Sequence, residues 1–289
     1  MRDQTSDKTR GFGEDPDVWD TIYERPDVNS QIHHDRLTLA GAVVDELSLP
    51  AGACVLDLGC GAGQLSVALA QRQLRVVAVD HQLEMLDRAR RRLVEVGMSA
   101  HVTLAQADAA RLPVADDRFD LVVALGVLPW VRDPSACVAE MVRVLRPGGA
   151  LLVTISNRLR LSWLLDPLQS PALSIPRRQV KRLYAALGHP LSVRRAPTAH
   201  ALSRREFRDL MVVHDVDRVL SQTLGFGPFT VFGRPLLGDR RSIRLHRLLQ
   251  SLADRGLPAL SAAGAQHVVL ARKRYDDAGR EGAGTRRFC

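Results

Sequence analysis

No stretch of this sequence approaches the ~20 consecutive apolar residues that a membrane-spanning helix needs, so no such helix is predicted. The opening segment MRDQTSDKTR is polar, and no secretory leader is expected from it. Cysteine is sparse. The four present (Cys54, Cys60, Cys137, Cys289) form no CxxC pair and no metal-ligand spacing, which argues against a disulfide scaffold, a zinc site or any other metal. These absences together read as a cytoplasmic protein. Lysine is rarer still: only Lys8, Lys181 and Lys273 stand among 40 basic residues.

What is present is ordinary for a globular chain. Over 289 residues, 46% are hydrophobic and 25% charged, enough for one large α/β domain or two small ones. The net charge of +8 is unevenly spread. Between Ser156 and Leu210 stand eleven basic residues (158, 160, 177, 178, 181, 182, 194, 195, 204, 205, 208) against three acids (Asp166, Glu206, Asp209), an excess equal to that of the whole chain. Such a field attracts anions: acidic substrates, lipid headgroups or nucleic acid.

From Ala53 onward, short apolar runs alternate with helical periodicity. Strands are predicted at Ala53–Leu58, Leu74–Asp80, His101–Gln106, Phe119–Leu125 and Ala150–Ser156, with later strands at Phe226–Gly233 and Gln266–Arg272. Helices are predicted at Gly63–Arg72, Gln82–Val96, Ser135–Leu145 and Arg241–Asp254, and over the second half of Trp19–Leu47, where Ile32, Leu39, Val43 and Leu47 share a face. Continuous apolar strands between amphipathic helices predict an α/β fold, a doubly wound sheet covered on both faces. The expected organisation is an N-terminal flap over residues 1–34, a core over 35–156, and a helical cap broken by prolines over 157–223. Strands and a helix completing the sheet would occupy 224–274, followed by a flexible tail over 275–289.

The segment Val55-Leu56-Asp57-Leu58-Gly59-Cys60-Gly61-Ala62-Gly63-Gln64 reads as a strand entering a glycine loop and then a helix. Glycine lets a ligand lie against the backbone without interference from Cβ. The dinucleotide spacing GxGxxG would require glycine at 64, where Gln64 stands, so the turn is less clearly built for a pyrophosphate. Asp57 lies two residues before the first glycine, where a carboxylate repels phosphate and suits an ammonium or sulfonium. Asp80 ends the next strand, 21 residues beyond Gly59, the place of a carboxylate that accepts ribose hydroxyls. A free nucleoside with a cationic tail fits S-adenosylmethionine (SAM) better than a nicotinamide dinucleotide.

The series VLDLGCGAG, VVAVD, AQADAARLP, RFDLVVALGVL and VRVLRPGGALLVTI, in this order and spacing, resembles the class I SAM-dependent methyltransferases, in particular the small-molecule branch that includes those of ubiquinone and menaquinone biosynthesis. The resemblance spans roughly residues 35–156. It implies a Rossmann-like sheet of seven strands, the last antiparallel, with SAM as cofactor. It further implies that Gly59, Cys60, Gly61 and Gly63 lie along the methionine portion, with Asp57 near its amino group. By the same resemblance Asp80 and the adjoining His81 meet the ribose, Asp108 and Ala109 meet the adenine edge, and Leu125 and Gly126 flank the methyl group.

The acceptor is less legible. His200 and His214 in the variable region, and the His33-His34 pair, are candidate bases, each more simply explained as a surface or structural histidine. Trp130 either lines an acceptor pocket or packs under the next helix. Segment Ala124–Trp130 (ALGVLPW) lacks the Asn/Asp-Pro-Pro-aromatic motif of nucleobase amine methylation, which disfavours DNA and RNA. The sequence therefore points to methyl transfer to a small, largely apolar metabolite, most simply at oxygen, with the basic cap touching an anionic membrane. RNA methylation and a catalytically silent SAM-binding scaffold are the competing readings.

Overall fold

The apolar runs of the sequence become neighbouring strands. The computed structural model describes residue 19 and residues 21–170, 201–214 and 216–275. Five strands, β1 (Cys54–Leu58), β2 (Arg75–Asp80), β3 (Val102–Gln106), β4 (Phe119–Ala124) and β5 (Leu145–Ser156), run parallel. With β6 (Val216–Leu224) and β9 (Gln266–Lys273) they form a seven-stranded sheet of order β3-β2-β1-β4-β5-β9-β6. The last strand, β9, is antiparallel to both its neighbours. The order reverses between β1 and β4, which opens a crevice at the carboxyl ends of those strands, where doubly wound sheets bind ligands.

Side chains of alternate parity feed two cores. On one face Leu56, Val122, Val153 and Val269 pack with Met141 of α4 (Pro134–Val144) and Phe207 of α6 (Arg204–Val213). On the other, Val55, Ala78, Leu121 and Leu152 pack with Ala40 and Val43 of α1 (Val28–Glu46), Leu69 of α2 (Gln64–Ala70) and Leu86 and Leu93 of α3 (Leu83–Glu95). Helix starts follow local chemistry. Asp27 caps α1 by accepting from the Ser30 N–H at 2.8 Å, Asp133 caps α4 with Pro134 in its first turn, and Ser203 and Glu206 form a capping box on α6. The short helix α5 (Leu161–Leu165) follows β5, and α7 (Asp239–Asp254) and α8 (Pro258–Ser261) precede β9.

Two expectations shift. The sixth strand is Val216–Leu224, all but its last residue within the segment assigned to the cap, and not Phe226–Gly233. Gly225 and Gly227 have φ of +85° and +124°, and Pro228 has no N–H to give a ladder, so the chain leaves the sheet there. Phe226 and Phe229 instead fill a small satellite core with Ala253, and only Thr230–Val231 (β7) and Arg234–Pro235 (β8) pair as a hairpin. The boundary drawn between 34 and 35 falls within α1, which is one unbroken helix. Residues 177–195 of the basic cluster, His200, and the tail beyond 275 lie outside the described residues.

Candidate functional site

The glycine loop leaves the carboxyl end of β1 at the point where the strand order reverses. The Gly59 and Cys60 N–H groups both donate to Val79 O, at 2.7 and 3.0 Å, tying the loop to the end of β2. At φ +68°, Gly59 turns its bare Cα toward Val127, and a Cβ there would stand 2.5 Å from Val127 Cγ2. Gly63, at φ +81°, is the N-cap of α2 and backs onto Ala89, 3.0 Å from its own would-be Cβ. A side chain at either position would run into protein, Val127 after β4 or Ala89 of α3.

The two predicted acids meet around this loop. Asp57 is buried, 2% exposed, and accepts from Ser66 Oγ at 2.6 Å. Burial pushes its carboxyl up to about 7; the Ser66 bond opposes this and the Asp80 charge adds to it. Asp80 braces the loop from the other side, accepting from the Gly61 N–H on Oδ2 and the Gln82 N–H on Oδ1, both at 2.9 Å. The Cys60 thiol is held well above its ordinary range by burial and by both carboxylates, so it stays protonated. Asp108 lies just past β3, beside the end of β2, where Ala107 N–H donates to Asp80 O at 3.2 Å. Its carboxylate caps a turn through the Ala110 N–H at 2.9 Å, with Ala109 half-buried between them. His81 is exposed, and its carbonyl accepts from Gln106 Nε2 at 2.9 Å.

Across the crevice, Leu125 and Gly126 follow β4, and the Gly126 N–H donates to Thr154 Oγ1 at 2.6 Å. Helix α1 reaches over this turn. Arg36 is buried, 8% exposed, and a Cβ on Gly126 would stand 2.8 Å from its Nη1. Its Nη2 donates to His33 Nδ1 at 2.8 Å. Burial, then the charge of Arg36, brings the His33 pKa down to about 2, so this imidazole is neutral and a poor base. Trp19 lies edge-on to Trp130 at 5.5 Å and to His33 at 6.1 Å between ring centres, which joins the N-terminal segment to the loop after β4.

Among the described residues, His33 is the candidate base that lies at this crevice, and His214 and His34 lie elsewhere. His214 caps the end of α6, two residues before β6 begins, and its Nε2 lies 3.2 Å from Ser135 Oγ. Val216 pairs with Lys273 at the end of the sheet opposite the glycine loop, and the His214 ring, two residues earlier, is engaged at the start of α4 rather than by the glycine loop or the Gly126 turn. His34 faces out and bonds Tyr23 O at 2.7 Å. Arg36 was missed by sequence reasoning, although a signal existed. It falls on the apolar stripe of α1, four residues after Ile32 and three before Leu39, where a solvated arginine has no place.

The arrangement joins the buried Asp57 and half-buried Asp80 on one side to an apolar wall and one guanidinium on the other. The family described as a methyltransferase domain matches residues 56–153, spanning β1 to β5. This segment is a class I SAM-dependent methyltransferase domain. The chain is 39% identical over 102 residues to a phosphatidylethanolamine N-methyltransferase of Cereibacter sphaeroides, covering 35% of this chain and 50% of that protein. It is 36% identical over 168 residues to a demethylmenaquinone methyltransferase of Parafrankia sp. (strain EAN1pec), covering 51% of this chain and 66% of that one. The chain thus spans between half and two thirds of the length of these relatives. In fold it is similar to a magnesium protoporphyrin IX methyltransferase from Synechocystis PCC 6803, with TM-score 0.57, 17% identity and coverage of 89% and 93% of the two chains. SAM is the cofactor of such domains, and the site fits it. Gly59 is exposed and Gly61 half-buried, and the paired acids suit cationic groups.

Proposed function

We propose that this protein transfers the methyl group of SAM to a small, largely apolar acceptor that carries an acidic oxygen. The observation that carries this reading is the pair Asp57 and Asp80, at the ends of adjacent strands on either side of Gly59–Gly63. In this reading Gly59, Cys60, Gly61 and Gly63 border the methionine chain, with Asp57 supplying negative charge for its ammonium. Asp80, with His81 beside it, accepts the ribose hydroxyls, Asp108 and Ala109 border the adenine, and Leu125 lies near the sulfonium. When bound, the cofactor supplies a methyl group already activated by positive charge on sulfur. The chain's task is alignment and exclusion of water, a contribution of up to ~7–11 kcal/mol in favourable cases.

Oxygen as the target is supported by the weakness of the available bases. Among the described residues His33, neutral down to about pH 2, is a weak base, which favours an acceptor oxygen already ionised near neutral pH, as that of a carboxylic acid is, over a phenol or alcohol that must lose its proton. The apolar class is supported by Val127, Trp19 and Trp130 along the crevice, and by two relatives whose names specify lipid-like acceptors. Among the described residues no helix is long and apolar enough to cross a membrane. Contact with an anionic membrane surface is part of the proposal. Exposed Leu159, Leu164 and Leu165 stand near exposed Arg158, a mixture suited to the headgroup boundary.

The test is calorimetric titration with SAM, S-adenosylhomocysteine and a nicotinamide dinucleotide, then acceptor-dependent release of S-adenosylhomocysteine over a panel of lipophilic phenols and acids. Heat from the dinucleotide alone would refute the donor. Donor binding without turnover on any acceptor would favour a silent scaffold, and turnover on RNA alone would favour the RNA reading.

A further inference from the structure

His267 stands on β9 between Ile155 of β5 and Thr223 of β6, and it is 1% exposed. Among the described residues neither of its ring nitrogens has a hydrogen-bond partner. Burial, then the charge of Arg204, brings its pKa down to about 4, so at neutral pH the ring is uncharged, with one N–H to donate and one lone pair. A buried polar group without a partner destabilises a fold. The next residues on this face of β9 are Val269 and Ala271, both buried in the core, so packing alone would favour an apolar side chain at 267.

The ring lines a cavity of about 90 Å³ between α6 and the β9–β6 edge of the sheet. Ile155, Phe207, Met211, Val216 and Val269 form its apolar walls. An internal water needs two to four polar partners, and these walls offer none. Three charged side chains, Arg204, Arg208 and Asp217, are exposed and mark the mouth. Asp217 is paired with Arg274 at 2.8 Å and Arg208 with Asp209 at 3.5 Å, whereas Arg204 has no acid within ion-pair distance among the described residues. The cavity also has a direction. Arg204 begins α6 and Met211 lies two turns further on, while His267 is six residues along β9 from Lys273, the partner of Val216. Its polar end is therefore at Arg204 and His267, and its apolar end at Met211 and Val216.

We propose that this cavity binds a short aliphatic monocarboxylate, with the carboxylate between Arg204 and the His267 N–H and the chain along Phe207 and Met211. One carboxylate oxygen accepts from the ring and the other faces the guanidinium, so an unpaired cation and an unmet donor are answered together. The other ring nitrogen keeps its lone pair. The size fits the class: about 90 Å³ is three waters' share of liquid at ~30 Å³ each, and less than the ~150 Å³ that admits a benzene ring. None of the lining residues belongs to the glycine loop, the Gly126 turn or α1, so this site lies apart from the crevice and does not rest on the donor reading.

The full chain, isotopically labelled at histidine Cε1, is titrated with sodium butyrate at constant ionic strength, and the His267 signal is identified by its loss in His267→Gln. A saturable shift of that signal is expected, with Kd on the order of 1 mM. Butyramide, which is uncharged, should bind the wild type at least about tenfold more weakly, and Arg204→Gln should lose butyrate affinity by roughly tenfold, the range of a charge-assisted hydrogen bond. His267→Leu should abolish the broadening of butyrate's own proton lines while raising the unfolding midpoint of the ligand-free protein, the signature of a residue held for binding at the expense of stability. The absence of any saturable shift up to about 50 mM butyrate would mean that the cavity holds only water, and the proposal fails. Equal affinity for butyrate and butyramide overturns it in the wild type alone, with no variant needed. Undiminished binding in Arg204→Gln, or a lowered midpoint in His267→Leu, overturns it as well. Octanoate binding more than about tenfold tighter than butyrate would replace the short chain by a fatty acyl chain leaving past exposed Val212.

Discussion

Replacing Asp57 by Asn should stabilise the ligand-free protein, and only at the upper end of the pH range. The carboxyl is 2% exposed, accepts from Ser66 Oγ at 2.6 Å and lies beside Asp80. Burial outweighs the Ser66 bond and raises its pKa from 3.8 to about 7. Between those values the folded protein holds a proton that the unfolded chain has released. Stability therefore falls as pH rises through this window, and the full cost is present above the folded value. The separation of the two values, at about 1.4 kcal/mol per unit, corresponds to roughly 4 kcal/mol. Asn keeps the shape and an acceptor for Ser66 but does not ionise. Urea unfolding of wild type and Asp57→Asn from pH 4.5 to 8.5 should show curves that diverge by about 2–4 kcal/mol as pH rises, with the variant the more stable above neutrality. Parallel curves would mean that this carboxyl is ordinary in the folded state. Saturating S-adenosylhomocysteine should reduce the divergence, because an ammonium beside Asp57 favours its ionised form.

Asp80→Ala should weaken S-adenosylhomocysteine binding by at least about tenfold and lower stability by about 1–3 kcal/mol, since the Gly61 and Gln82 N–H groups lose their acceptor. Unchanged affinity by calorimetry would refute its ribose role. Gly59→Ala, at φ +68° with its Cβ 2.5 Å from Val127 Cγ2, should cost about 1–3 kcal/mol; a double-mutant cycle with Val127→Ala should recover part of this, and additivity would deny the close approach. His246, fully buried, bonds Asp35 Oδ2 through Nε2 at 2.7 Å and accepts from the Phe226 N–H on Nδ1 at 3.0 Å, joining α7 to α1. His246→Ala should destabilise by about 3 kcal/mol in urea unfolding while donor affinity stays within about threefold; a binding loss exceeding this would place that knot in the site.

The central strands were legible because burial on both faces leaves an uninterrupted apolar run, as in Val76–Val79 and Leu121–Ala124, that helices and loops do not imitate. The edge strand β6 was not. One of its sides lacks a neighbouring strand, so VDRVLSQTL carries charge and polarity like a cap segment, while Val219 and Leu220 remain exposed. The glycine loop and Asp80 were legible for a local reason, since a strand end, a turn and the next strand end lie within about twenty-five residues. The surroundings of His214 were not legible, because chain position does not reveal which element a helix end will meet.

Order along the chain was enough to determine the layered sheet and the acids flanking the loop, since both follow from periodicity and short-range spacing. Only the folded molecule decided that Asp57 lies behind the loop as an acid shifted to about 7, and that α1 brings Arg36 to Gly126, ninety residues away. Burial and the partnership of charges are properties of the space between elements, so they come into existence only when those elements pack.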